Sequence, residues 1–290
     1  LRVMFRELGF TRLLAVAEAK APAAPKRGVE VRIVTDDTEL SHWLKTWTAS
    51  GGPVALLGFA VGGSNSALAL AIAMNPDTAW VVPLDRARLA QPSGQRLARW
   101  LADPSVPVIG HELKTMVRRL AKLGLELEGV CGDTLLAAYL LNPSRPTPRL
   151  TDLVEEWLDE RLAPVPSGEG ISDLELPKAA EAAGRAACAV LTLHERLLVR
   201  LREHRLEPLY REIELPLIKV LAEMERTGIA VDLSYLKRLH VSMEARLTQL
   251  TQELYRRAGV TFNLNSPRQL AHVLFERLGL AVVKRTKTGP

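Results

Sequence analysis

Residues 52–85 read GPVALLGFAVGGSNSALALAIAMNPDTAWVVPLD. Three apolar runs, PVALLGFAV, SALALAIAM and AWVVPLD, are separated by turn residues, the pattern of short apolar strands. VEVRIVTD (29–36) precedes them and VPVIGH (106–111) follows, so a sheet of several strands is placed early in the chain. A glycine turn at a strand end is where many α/β enzymes present catalytic or phosphate-binding groups, yet 52–65 contains no acid, histidine or lysine. VGGSNS (61–66) matches neither GxxxxGK[ST] nor GxGxxG, so a nucleotide-binding loop is not indicated.

Helical periodicity takes over after the strands. Glu112–Leu123 and Thr134–Leu141 carry apolar residues three and four apart, Asp133 stands as the N-cap of the second helix, and Pro143, Pro146 and Pro148 end it. Further helices are expected over Leu150–Leu162 and Pro177–Glu203, on either side of a loop holding APVPSGEGIS (163–172). The Ala-rich AAEAAGRAACAV within the last of these reads as a packing helix. Strands followed by helices of this kind make an α/β layer.

With 290 residues, 47% of them hydrophobic and 24% charged, the chain has the composition of a globular protein of two domains. No apolar run is long enough to span a bilayer, and LRVMFRELGFTRLL (1–14) lacks the unbroken apolar centre of a secretory signal, so a cytoplasmic address is expected. Cys131 and Cys188 have no CxxC partner and no histidine at ligand spacing, and read as free thiols. The formal charge of +5 leans toward an anionic partner without identifying one. EAKAPAAPKRG (18–28) reads as a linker. The chain starts at Leu1 and stops within the basic KRTKTGP, so it is expected to be a stretch of a longer protein.

From Leu206 the pattern is almost all helix. Gly228 suits a C-terminal cap, Asp232 an N-cap, and Leu236, Leu239, Met243, Leu247, Leu250 and Leu254 form one apolar stripe on a helix ending at Gly259, the pattern of a projecting arm or hairpin. In FNLNSPRQLAHVLFERLGL (262–280), Ser266, Pro267 and Gln269 stand as N-cap, N1 and N3 of a capping box. Asn263, Asn265 and Ser266 put short polar donors at that helix start, where a phosphate can be bound; the same residues can equally serve the helix alone. Lys284, Arg285 and Lys287 follow in KRTKTG, a loop suited to nucleic-acid phosphates or to solvent.

EIELPLIKVLAEMERTGIAVD (212–232), FNLNSPRQLAHVLFERLGL and KRTKTG together resemble the start of the polymerase domain of the family A DNA polymerases, the bacterial DNA polymerase I group. GHELKTMVRRL (110–120), CGDTLLAAYLLNPSR (131–145) and VLTLHERL (190–197) resemble the 3′ to 5′ exonuclease domain that precedes it in that family. The resemblance implies an N-terminal segment from a 5′-nuclease domain over 1–28, an exonuclease-like domain over 29–205, and the start of the thumb over 206–290. The implied fold class is α/β, a ribonuclease H-like mixed sheet with flanking helices, followed by an all-helical thumb segment.

That exonuclease works with two metal ions held by carboxylates. By resemblance, the Asp-x-Glu of its first strand falls on Gly58 and Ala60, an Asn and an Asp of its second motif on Glu112 and Met116, and a Tyr and an Asp of its third on Ala182 and Ala186. No metal site is then expected here, since Glu112 alone cannot hold two Mg²⁺ ions and Asp133 serves as a cap. The resemblance implies an inactive proofreading-type domain, and a thumb start that binds double-stranded primer–template DNA through Asn263, Asn265, Ser266, Lys284, Arg285 and Lys287. It implies as well a monomer whose palm and fingers, with Mg²⁺, extend primers in repair and replication. The alternatives are an active exonuclease of the same fold and a non-enzymatic nucleic-acid-binding module.

Overall fold

The structure is a computed structural model that describes residues 28–34, 36–50, 52–60, 68–145, 147–165 and 176–281. The helix and linker expected before Gly28, the GGSN turn, most of the 163–172 loop and the KRTKTG loop lie outside the described residues. The chain divides into two compact units, Leu1–Thr227 and Gly228–Pro290.

In the first unit the order is β1 (Glu30–Ile33), α1 (Asp37–Ser50), β2 (Val54–Ala60), β3 (Leu68–Asn75), β4 (Thr78–Leu84), α2 (Arg86–Ala90) and α3 (Pro92–Leu101). Then come β5 (Val108–Gly110), α4 (Leu113–Lys122), β6 (Val130–Asp133), α5 (Thr134–Leu141), α6 (Leu150–Leu158) and α7 (Leu176–Glu203). The six strands lie in the order β1-β4-β3-β2-β5-β6. β2, β3 and β4 form an antiparallel meander. Asn75 makes its second turn by accepting the Asp77 and Thr78 N–H groups through Oδ1, at 3.0 and 2.9 Å. β5 and β6 add parallel to β2, as their helical crossovers require, and β1 pairs parallel with β4. This is the mixed, ribonuclease H-like sheet that was expected.

Both sheet faces are covered. On one, Ala69, Ala71, Ala73 and Ala79 meet Ala179, Ala180, Ala183 and Ala187 of α7. Small side chains on both surfaces let the helix lie close. At Gly184 an added Cβ would stand 2.7 Å from both methyls of Val31, so only glycine fits there without a shift. On the other face, Leu56, Leu70, Ile72 and Val82 pack with α1 and α3, where Trp100 meets Trp43 and Trp47 edge-on at 5.2 and 5.3 Å.

Asp133 ends β6 and, as its position in the sequence indicates, caps α5: its Oδ1 accepts from the N–H groups of Leu135 and Leu136 at 2.8 and 3.4 Å. The same buried carboxylate also accepts from Glu112 N–H (3.2 Å) and Leu113 N–H (2.7 Å), the first free donors of α4. Two helices therefore start on one side chain. Its backbone is held in turn by Tyr210, whose hydroxyl accepts from Asp133 N–H (2.6 Å) and donates to Asp133 C=O (3.1 Å).

Tyr210 begins a π-helical turn, Tyr210–Glu214, between α8 (Glu207–Leu209) and α9 (Leu215–Thr227). Pro216 explains the turn, because it has no N–H to donate to Glu212 and its ring crowds that carbonyl. Tyr210, Leu215 and Ile218 are buried in the core shared with β2 and α4. Glu225 of α9 pairs with Lys114 and Arg118 of α4 at 2.8 Å each, and Lys219 pairs with Glu128. Packing thus divides the chain at Thr227, later than Leu206, where the resemblance to a polymerase domain begins.

The second unit holds α10 (Leu233–Ala258) and α11 (Pro267–Ala271), which runs on into the π-helical His272–Arg277. Asp232 caps α10 by accepting from Tyr235 N–H at 2.8 Å, and Gly259 closes it at φ 66°. Arg277 donates to Gly259 C=O at 2.9 Å, and Tyr255 to Phe262 C=O at 2.8 Å, around buried Ala258 and Val273. The stripe Leu236 to Leu254 is present but exposed, Leu247 by 63%. Among the described residues, no helix is long and apolar enough to cross a membrane.

Asp133→Ala removes the caps of two helices at once and should cost about 2–4 kcal/mol in urea unfolding. Tyr210→Phe leaves the side-chain caps in place and should cost about 1–2 kcal/mol. The order of the two losses is the check.

Candidate exonuclease centre and nucleic-acid interface

β2 and β5 are parallel neighbours, with Leu56 paired to Gly110. Gly58 and Glu112 each lie two residues further on, Gly58 in the part of β2 that runs past β5 and Glu112 beyond the end of β5, the side of the sheet where α/β folds form their sites. Glu112 turns the chain into α4 with φ 60°, a left-handed conformation that costs a non-glycine residue about 1 kcal/mol or more and is anchored by Asp133. Its carboxylate accepts from the Thr115 hydroxyl at 2.7 Å, one turn up its own helix.

Met116, on the next turn of α4, comes directly over Gly58. A Cβ on Gly58 would lie 2.5 Å from Met116 Cε, 2.7 Å from Sδ and 3.2 Å from Leu68 Cδ1. The Met116 side chain is buried in the main core cluster. Arg119, three residues on, donates from its guanidinium to Gly58 C=O at 3.2 Å. Gly58 and Met116 are thus in contact, Glu112 stands one turn before Met116, and Arg119 is an addition that sequence reasoning missed.

Ala60 pairs with Leu68 in the β2–β3 register, two residues after Gly58. Ala182 and Ala186 are buried on α7 and precede Ala189 and Leu193 by helical spacing, the stripe that enters the core holding Met116. Among the described residues, no three His, Cys, Asp or Glu side chains are grouped as metal ligands. Alkyl groups, one thioether and one carboxylate do not fit the two Mg²⁺ ions of an exonuclease, which demand several oxygen ligands each.

In the second unit, Ser266 caps α11 by accepting from Gln269 N–H at 3.4 Å. The Gln269 side chain reaches back to Asn263 N–H (2.8 Å) and not to Ser266 N–H, which is already taken by Asn263 C=O (3.0 Å). Asn263 Oδ1 accepts from Asn265 N–H at 3.0 Å. The oxygens of Asn263 and Ser266 are therefore used internally, while the Asn263 amide and the Ser266 hydroxyl keep protons to donate. Lys284, Arg285 and Lys287 fall outside the described residues.

Residues 64–162 match the model of the DNA polymerase I ribonuclease H-like domain, and residues 233–290 that of DNA polymerase family A. The DNA polymerase I of Bacillus subtilis is 32% identical over 99% of this chain, and that of Mycobacterium bovis 39% identical over 79%. Over these segments the chain matches the family A DNA polymerases. It comprises the ribonuclease H-like exonuclease domain and the start of the polymerase region.

A solved structure, the POL domain of Pol1 from M. smegmatis in complex with DNA primer-template and dNTP, is 34% identical and superposes with a TM-score of 0.70. It covers 90% of this chain, which spans 43% of that one. The chain spans 32% and 25% of the length of the B. subtilis and M. bovis polymerases. Within the matched segments lie Glu112, Met116 and the six polar and basic residues from Asn263 to Lys287; Gly58, Ala60, Ala182 and Ala186 lie outside them.

Two histidines beside the strand ends have pKa values lowered to about 4, His111 by burial, and His194 by burial and then by the charge of Arg211. Thr134 donates its hydroxyl to Gly110 C=O (3.1 Å), so at 2.9 Å the neutral His111 must donate its Nδ1–H to Thr134 Oγ1. Below pH 6.5 the unfolded chain gains protons at these positions while the folded one does not. Stability present above pH 6.5 should therefore fall toward pH 4, by about 2 kcal/mol per histidine at pH 5. Burial raises the Asp133 carboxyl, which acts in the opposite direction. The share of His194 is read from unfolding curves as the part of the fall that His194→Gln removes.

Proposed function

We propose that this chain is the part of a bacterial DNA polymerase I that joins an inactive proofreading-type domain to the start of the thumb, and that it holds primer–template DNA by its backbone. The observation that carries this reading is the likeness, over 90% of the chain, to a polymerase structure with DNA primer-template and dNTP. The 26-residue α10 supports it, with Lys237, Arg238, Arg246, Arg256 and Arg257 against only Glu244 and Glu253.

The Asn263 amide, Asn265 and the Ser266 hydroxyl donate to phosphate oxygens, and Lys284, Arg285 and Lys287 supply charge. Such contacts fix position without reading sequence. The whole polymerase extends a primer 3′ end from deoxynucleoside triphosphates in repair and replication. It is a cytoplasmic, nucleoid-associated monomer whose palm carboxylates lie outside these residues. Mg²⁺ held there stabilises the charge that develops on the reacting phosphate.

Inactivity of the exonuclease-like domain rests on Gly58, Ala60, Met116, Ala182 and Ala186, none of which offers an oxygen ligand from its side chain. A 5′-labelled primer–template with a mismatched 3′ end should stay intact with this chain in Mg²⁺ or Mn²⁺. Shortening that Glu112→Ala or a chelator abolishes would instead mean a working nuclease.

The interface is tested by duplex affinity between 50 and 200 mM salt. Replacing Lys284, Arg285 and Lys287 together by Ala should weaken binding and flatten the slope of log affinity against log salt by about 2–3. An unchanged slope would remove these residues from the interface.

A further inference from the structure

We infer that Met116 and Arg119, one turn of α4, together take over the place that metal ions and their ligands hold in an active exonuclease: the thioether fills the volume and the guanidinium supplies the positive charge. The inference rests on the reading of Gly58 and Met116 as former ligand positions, and concerns what now closes them to cations.

Three observations lead to it. The Met116 methyl and sulfur occupy the space into which any side chain on Gly58 would project, at 2.5 and 2.7 Å from its Cβ. That makes the two positions dependent on each other: a carboxylate at 58 needs the thioether gone, and the thioether needs glycine at 58. Arg119 is aimed at the same residue, donating to Gly58 C=O at 3.2 Å. Lys114 and Arg118, on another side of α4, are turned to Glu225, while Arg119 is directed to Gly58. The surviving acid, Glu112, is engaged by Thr115 on its own helix.

A buried apolar plug with a cation hydrogen-bonded at the same glycine is the reverse of a divalent-cation site. It has no oxygen ligands to offer and repels the ion by like charge. Acids restored to the strand end would pair with Arg119 before they could bind a metal.

Two measurements on the whole chain test this. In the first, Gly58→Ala is made in wild type and in Met116→Ala, and melting temperatures are compared. The glycine substitution should lower Tm by about 5 °C in wild type and by much less where the thioether is absent. Equal losses in the two backgrounds would overturn the mutual dependence.

In the second, Mn²⁺ alone is titrated against Gly58→Asp/Met116→Asp with and without Arg119→Ala, and Tm and Mn²⁺ paramagnetic resonance are followed. The variant lacking Arg119 should bind Mn²⁺ at least tenfold more tightly than the variant that keeps it, while wild type shows no saturable binding at this strand end. Equal affinities with and without Arg119 would overturn its role as the resident cation. Neither measurement reads nuclease activity, so primer digestion by wild type would sink the inactive-domain reading separately.

Discussion

The carboxylate of Asp133 is the fixed point of the first unit. It is buried, it ends β6, and it accepts from four backbone N–H groups at the starts of two helices. An isolated buried charge would be prohibitive, but donors on both oxygens and the positive ends of two helix dipoles offset its desolvation. Geometry follows from that satisfaction. The start of α4 cannot shift relative to β6 without breaking a charge-assisted hydrogen bond, so Glu112 is held in its left-handed conformation and Met116 is aimed at β2. Tyr210 ties α8 and α9 to the same aspartate through its backbone.

Seen from this fixed point, the proposed loss of metal ligands need not alter the fold. The strand end, the helix start and the cap are structural parts that hold their places whatever side chains line the site. Acids gathered without a metal repel one another and resist burial, so on the proposed reading their replacement by glycine, alanine and methionine would relieve a like-charge cluster as well as remove a ligand set. Apolar residues of complementary size then extend the core to the strand end, and Met116, adaptable in shape, suits a gap left by larger groups.

How far this was legible in the sequence differs by element. The strands from Val54 to Leu84 and the helix Thr134–Leu141 could be read because their turn residues and caps are local. The sequence marks Asp133 as the cap of the helix it precedes; its capping of α4, some twenty residues earlier, depends on β5 and β6 pairing and leaves no local mark. Arg119 escaped for the same reason, since an arginine on an amphipathic helix looks like any solvated charge until the sheet places Gly58 beneath it. At Ser266 the capping box was correct in its residues but not in its bonds: a turn from Asn263 had already satisfied Ser266 N–H, so Gln269 reached the next free donor.

α10 shows why an apolar stripe predicts a helix better than it predicts burial. Helices beyond about 12–15 residues can persist on local interactions when well capped, and this one has 26, with Asp232 at its start and Gly259 at its end. Arg257 pairs with Glu253 and His240 with Glu244 at helical spacing, each adding a little on the solvent side. Periodicity reports which residues share a face; whether that face is buried depends on what packs against it. The small core around Ala258 and Val273 secures the C-terminal end of α10 to α11. Secondary structure in this unit is accordingly fixed by caps and turns, whereas in the first unit it is fixed by a sheet enclosed on both faces.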